Sequence, residues 1–180
     1  MGLIHQPKPV QLVVGMLSSI PEEFRGARGL LERRFGPVES GSALFPFDVT
    51  HYYDEELGTP IQRKFLSFTR LIDPGELAAI KCFTNQVEQL RARERSAHPN
   101  RPINLDPGYL DAGKLVLATT KDRAHRIYLG QGIYAEVTLL YEKKAWQALP
   151  WTYPDYAAPT YHPFLTEARR AYLVRLREGG

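Results

Sequence analysis

The chain has 180 residues, the size of one ordinary domain and long enough to bury roughly 70% of its unfolded surface without staples. Hydrophobic residues make up 43% and charged residues 24%, a globular profile rather than a disordered one, and the longest apolar runs are far too short for a membrane span. Cys82 is the one cysteine, so no intramolecular disulfide can form, and a net charge of +3 does not by itself imply nucleic acid.

The N-terminal segment has no apolar stretch of signal-peptide length. Gly2 suggests lipidation, but Gln6 stands where Ser or Thr is needed. A cytosolic location without membrane attachment is therefore expected. Residues 10–16 are apolar and β-branched and predict a buried strand. A helix should follow, with Ser19 as cap, Pro21 in the first turn and Glu22 completing a capping box. Phe24, Ala27, Leu31 and Phe35 fall on one face of it. Residues 42–50 read as a strand interrupted by Pro46, and 51–62 as a polar loop. Residues 64–72 alternate as a strand, and Asp73-Pro74-Gly75-Glu76 begins a second helix. On that helix Lys81, Asn85 and Glu88 form a polar stripe, read as a wet face.

The polar stretch 93–101 reads as a loop. Asn104-Leu105-Asp106-Pro107-Gly108-Tyr109 has turn chemistry, which could aim Asn104 and Asp106 into a pocket. Residues 114–119 predict a strand, and 124–129 with 133–141 a hairpin around Gly130-Gln131-Gly132. Residues 150–163 are aromatic and proline-rich, without a period. A C-terminal amphipathic helix carries Phe164, Leu165, Ala168, Tyr172 and Leu176. No repeat or linker divides the chain, so 1–180 reads as a single α+β domain. The order is ferredoxin-like, β-α-β-β-α-β, on an antiparallel or mixed sheet, with a hairpin and helix added.

The usual catalytic signatures are missing. There is no phosphate loop, because Asp111-Ala112-Gly113-Lys114-Leu115 lacks the preceding glycine and the hydroxyl. CxxC, HExxH and GxSxG are absent. The densest polar region runs from Asn104 to Glu136. Cross-strand register places Tyr128 opposite Tyr134 and Arg126 opposite Glu136. Arg126, Tyr128, Tyr134, Glu136 and Thr138 then share one face, and Ile127, Leu129, Ile133, Ala135, Val137 and Leu139 the core face. The first face offers a cation, an acid and two phenols, suited to an anionic ligand; its plainer reading is a cross-strand ion pair. Lys121, Arg123 and His125 open the same hairpin and suit a phosphate, although a strand histidine is often simply half-buried. The loop of His51, Tyr52, Tyr53, Asp54, Glu55 and Glu56 contributes an imidazole and carboxylates at no recognised metal spacing.

Leu105-Asp106-Pro107-Gly108-Tyr109, the run 116–141 and Pro150-Trp151-Thr152-Tyr153-Pro154-Asp155-Tyr156 together resemble the prokaryotic domain-of-unknown-function family 4416. Tyr52-Tyr53, Glu56-Leu57-Gly58, Lys81, Thr84-Asn85 and Glu88 extend the resemblance over nearly the whole chain. The family has no assigned reaction, so the resemblance implies no catalytic residue and leaves any cofactor unknown. Its members are sometimes labelled GTP-binding, but the glycine loop and lysine that would cradle the phosphates are absent here.

The expectation is a site for a phosphorylated or otherwise anionic small molecule such as a nucleotide, with enzymatic action on it left open. Lys121, Arg123 and Arg126 would hold the anion. Tyr128, Tyr134, Asn104 and Tyr53 would position it. Glu136, His125 and Asp106 would be the acid–base candidates. The alternatives are an RNA or ribonucleoprotein binding module and a partner-binding subunit.

Overall fold

A computed structural model describes residues 2–95 and 99–178. Residues 96–98, in the stretch predicted as a loop, lie outside the described residues. In chain order the elements are β1 (Val10–Ser18), α1 (Pro21–Phe35), β2 (Val38–Gly41), β3 (Phe45–Pro46), α2 (Asp54–Leu57), β4 (Gln62–Ile72) and α3 (Leu77–Arg93). They continue with β5 (Asn104–Leu110), β6 (Lys114–Thr119), β7 (Ile127–Gly130), β8 (Ile133–Glu142), β9 (Ala145–Ala148), α4 (Pro154–Ala157) and α5 (His162–Glu178). Short 3-10 turns precede α3 and α5.

The fold is α+β. Among the described residues nine strands form one sheet in the order β2-β4-β1-β5-β6-β8-β7, with β3 on β4 and β9 on β8. Every pairing is antiparallel. β1 is buried along its whole length because helices cover both faces of the sheet. On one face Leu12, Val14 and Met16 meet Phe24, Leu31 and Phe35 of α1 and Ile80 and Val87 of α3. On the other, Val13, Phe65 and Leu115 meet Tyr156, Phe164, Leu165 and Tyr172 from α4 and α5.

Several local expectations are corrected. Ser19 does not cap α1: its hydroxyl donates to the Leu57 carbonyl, Ile20 is the cap residue, and Pro21 begins the helix. Asp73 does cap, accepting from the Gly75 N–H at 2.7 Å. Residues 42–50 hold only the two-residue β3, because the chain turns away after Pro46. The predicted loop over 51–62 contains α2, and β9 was not expected.

The predicted turn at 104–109 is a strand. β5 pairs with β1 from Asn104 to Leu110, and a Cβ on Gly108 would lie 2.3 Å from the Val116 carbonyl oxygen. Gly108 is therefore there for close strand approach rather than for a turn.

In the hairpin, Tyr128 does face Tyr134, but a bulge follows and Gly130 faces Ile133. The expected core face is only partly a core. Ile133 is buried against α3, and Leu139, past a bulge, is buried on the face of α5 instead, whereas Ile127 is 71% exposed and Leu129 is also exposed, because β7 is the edge strand of the sheet. On the opposite face Glu136 and Thr138 are buried. The segment after β9 covers them, with Trp151 Nε1 donating to the Val137 carbonyl and Thr152 Oγ1 to the Thr138 carbonyl.

Candidate functional site

The ladder between β5 and β6 is short. β5 meets β6 only at Gly108, Tyr109 and Leu110, opposite Leu117, Val116 and Leu115. The next residue, Pro107, has no N–H to continue the ladder. From there toward Asn104 the two strands are unpaired. Unpaired buried backbone groups must find other partners, and α3 supplies them. Glu88 Oε1 accepts from the Leu105 N–H at 2.8 Å, and Lys81 Nζ donates to the Leu105 carbonyl at 2.7 Å. Of the stripe read as a wet helix face, Lys81 and Glu88 are thus buried and take the place of a neighbouring strand, while Asn85 is half-buried.

A cavity of about 830 Å³ occupies this gap. Four of its walls are the loop and helix carrying Phe47, Tyr52, Tyr53 and Glu56; Lys81, Asn85 and Glu88 on α3; Asn104 and Asp106 on β5; and Tyr153, Asp155 and Tyr156 at α4. Thr119, Lys121 and Glu136 close the side formed by β6 and β8. The volume fits a small-molecule site.

Arg63 of β4 organises the wall beneath Asp106 and Asp155. Its side chain is 4% exposed, and its guanidinium donates to Asp106 Oδ2 at 2.9 Å and to Asp155 Oδ2 at 3.1 Å. The rings of Phe47, Phe65 and Tyr156 lie within 5.3 to 5.7 Å of it. Gly15 on β1 makes the room, because a Cβ there would lie 3.0 Å from the guanidinium and from Tyr156 Oη. Burial alone would lower the Arg63 pKa, but Tyr156, Asp106 and Asp155 outweigh it and raise it. The two carboxylates respond differently. Burial raises Asp155, and Asp106 beside it adds to the effect against the pull of Arg63. Burial would also raise Asp106, but Arg63 and Lys81 overcome it and hold this carboxyl below its ordinary value. Asn104 Nδ2, Tyr156 Oη and Arg63 Nε are buried here without a hydrogen-bond partner.

A second cluster flanks the first. Arg101 donates to Glu88 at 2.8 Å and to Glu56 at 3.0 Å, and also bonds Asn104 Oδ1. Burial raises the Glu88 pKa despite Lys81 and Arg101. Burial, then the charges of Asp106 and Tyr153, push Tyr53 up to about 12, so its phenol is a hydrogen-bond donor at neutral pH.

The expected residues divide. Asn104, Asp106, Lys121, Glu136 and Tyr53 all line the cavity. Arg123, His125, Arg126, Tyr128 and Tyr134 do not. Arg126 is committed elsewhere: its Nε donates to Glu136 at 2.7 Å, and its other nitrogens donate to the Lys121 carbonyl and to Tyr153 Oη. It therefore positions two wall residues rather than presenting a charge. His125 Nε2 lies 3.1 Å from Glu136 Oε2, with its ring stacked on Trp151 at 5.2 Å. Tyr128 and Tyr134 pair ring to ring on the outer hairpin, and Arg123 is exposed. Lys121 is different. Among the described residues no carboxylate lies within ion-pair distance of it, and its Nζ sits 4.6 Å above the Tyr52 ring. His51 and Asp54 pair at the surface, 2.8 Å apart. Among the described residues no three His, Cys, Asp or Glu side chains converge as metal ligands.

Sequence reasoning missed Arg63, Asp155 and Arg101 as wall residues. The signal for Arg63 was present: it stands two residues before Phe65, on the inward phase of a buried strand. Asp155 and Arg101 reach the cavity only through tertiary approach.

The family model described as a domain of unknown function (DUF4416) matches residues 8–172, which includes every wall residue named above. No curated protein and no solved structure gives a significant match. No helix among the described residues is long and apolar enough to cross a membrane.

Proposed function

The chain belongs to the DUF4416 family, whose description assigns no reaction, and from that premise we propose that it binds an anionic small molecule in the cavity between β5 and β6. The observation that carries this reading is the gap itself: a strand ladder is interrupted, its backbone groups are satisfied by Lys81 and Glu88, and the space is walled by polar side chains. Buried donors without partners beside it, on Asn104 and Tyr156, would each cost about 1–3 kcal/mol, a cost that a bound ligand or water would remove. Lys121 is the cation best placed for the ligand's anionic group, because Arg63 and Arg101 are already paired. The tyrosines would pack on the ligand body, and the carboxylates would accept its hydroxyls. A phosphorylated sugar or a nucleotide has all of these parts.

Two finer readings accompany this one. The order β2-β4-β1-β5 with α1 and α3 supports a ferredoxin-like unit within the larger sheet. The alternative of an RNA module has less to rest on, because α4 and α5 cover the sheet face opposite α1 and α3, the kind of open aromatic face such modules use.

The test is a thermal-shift panel of nucleotides, sugar phosphates and short RNA on the wild type and Lys121→Ala. A ligand at 100 times its Kd stabilises the native state by about 2.7 kcal/mol. A sugar phosphate or nucleotide should raise the wild-type Tm, and Lys121→Ala should lose most of that rise while keeping its own unliganded Tm. If only RNA shifts the Tm, the small-molecule reading is wrong.

A further inference from the structure

Arg63 holds two carboxylates that are unequally open. Asp106 of β5 and Asp155 of α4 each take one of its terminal nitrogens, but the Asp106 side chain is 27% exposed and that of Asp155 only 6%. Asp106 is therefore the carboxylate of this fork that a ligand can reach. It meets Arg63 through Oδ2, and Oδ1 remains as an acceptor.

Hydrogen-bond donors surround it. Asn104, two residues earlier on β5, points to the same side of the strand. A guanidinium has only donors, so the amide oxygen must face Arg101, as it does, and the amide nitrogen is left to donate. That nitrogen is buried and, among the described residues, has no partner. Arg126 donates to the Tyr153 oxygen, which leaves the phenol hydrogen of Tyr153 for another acceptor. Tyr53 and Tyr153 both line the cavity, and the Asp106 charge acts on both phenols. A row of rings joins this inner end to the rim. Phe47 lies 5.3 Å from the Arg63 guanidinium, Tyr53 lies 6.2 Å from Phe47, Tyr52 lies 4.9 Å from Tyr53, and the exposed Lys121 sits over Tyr52.

One open acceptor among three donors selects its ligand group by elimination. An anion placed against Asp106 is repelled. An ammonium donates but cannot accept, and Arg63 and Lys81 already counter the carboxylate. An apolar group leaves every polar atom here unpaired. A hydroxyl both donates and accepts. The edge of a flat base does so too, but the rings form no slot for one: Phe47 and Tyr53 meet at 56°, and Tyr52 and Tyr53 at 90°.

We propose that Asp106, Tyr53, Tyr153 and Asn104 form a subsite for the uncharged, hydroxylated end of the ligand, so that a polyhydroxy phosphate or carboxylate enters hydroxyls first and leaves its anionic group at Lys121. The proposal rests on the reading that the cavity binds an anion, and it adds which end goes in and which residues recognise it. Asp106 accepts from a ligand hydroxyl, and the phenols and the amide donate to that oxygen and its neighbour. A site built in this way rejects an analogue that lacks the hydroxyl, because its own buried groups are then left unpaired.

NMR titrations of the full chain with ribose 5-phosphate, butyl phosphate, ribose and adenine test the subsite. Ribose 5-phosphate should bind at least about tenfold more tightly than butyl phosphate, the equivalent of one good hydrogen bond to a charged group. Tyr53→Phe and Asp106→Asn should each remove most of that preference and leave butyl phosphate binding unchanged. Lys121→Ala should weaken both phosphates alike. Tyr53→Phe deletes one oxygen from a half-buried ring, so the test stands even where Asp106→Asn fails to fold. Equal binding of the two phosphates by the wild type supports the anion cavity and overturns the hydroxyl subsite. Binding of ribose with no gain from its phosphate supports the subsite and overturns the anion reading. A preference that survives in both variants, or adenine binding that Asp106→Asn abolishes, overturns the assignment of these residues to hydroxyls. Failure of all four compounds to bind overturns both readings.

Discussion

Gly108 has a carbonyl oxygen where any other residue would carry its first side-chain carbon. The distance of 2.3 Å to the Val116 carbonyl oxygen and 2.6 Å to Leu117 Cδ2 leaves no room for relaxation by a flexible tip, since one neighbour is backbone. Gly108→Ala should destabilise the protein by about 3 kcal/mol, at the upper end for overpacking, as read from the midpoint of urea unfolding. Arg63 permits a second argument about single residues. Asp106 is held below its ordinary 3.8, so its contribution to stability is present above that value and is lost as pH falls through its folded pKa. Asp155 is raised above 3.8, so its contribution is present below that value and is lost as pH rises through its folded pKa. Asp155→Asn should therefore gain on the wild type as pH rises above 3.8. Asp106→Asn should remove part of the wild type's acid-induced loss. Urea unfolding series at stepped pH measure both, and parallel curves for all three proteins would refute the assignment.

β5 and α3 act together as elements. The strand ends its ladder at a proline, and the helix completes the unpaired strand edge with a lysine and a glutamate. Glu88→Ala would leave the Leu105 N–H and the Arg101 guanidinium without this partner. It should cost about 3 kcal/mol, as removal of one member of a buried ion pair does, whereas Glu88→Gln should cost less because its amide oxygen still accepts. Denaturant midpoints separate the two variants. The same pair of elements marks the limit of the sequence. Apolar periodicity was enough to place β1, β4, α1, α3 and α5, because their faces are buried by neighbours that need only be apolar. Pro107-Gly108 was read as a turn because local chemistry favours one. Gln11, buried in β1, and Pro107 in β5 are tolerated through contacts that no local window contains. Lys81 and Glu88 read as solvent-facing for the same reason: their partners are backbone atoms 24 and 17 positions away. Of the expected site, the cavity unites the residues from β5, β8 and the Tyr53 loop, while the outer hairpin tyrosines lie elsewhere.

The molecule as a whole is a sheet enclosed between two helical layers, and its later elements complete what the earlier ones begin. α5 closes the second face: Tyr172 Oη donates to the Pro9 carbonyl, and Arg175 donates to Gln11 and to the Thr69 carbonyl. The wall residues Asp155 and Tyr156 belong to this late layer, so the site depends on its docking. Leu165→Ala, at a fully buried position, should cost about 3 kcal/mol and lower the thermal midpoint of sheet and helices together. A calorimetric scan with a separate early transition would show instead that the last helix unfolds by itself.

The stack of His125 on Trp151, 5.2 Å apart and tilted by only 9°, gives the protein an optical reporter of its own. Contact with an imidazole alters the emission of an indole, so Trp151 emission should report any change in this stack. Trp146, the other tryptophan, is buried against α5 with its Nε1 donating to Thr166, and supplies a steady background. Because His125 also touches the cavity's Glu136, a ligand that displaces that carboxylate would register as a change of brightness, without any label.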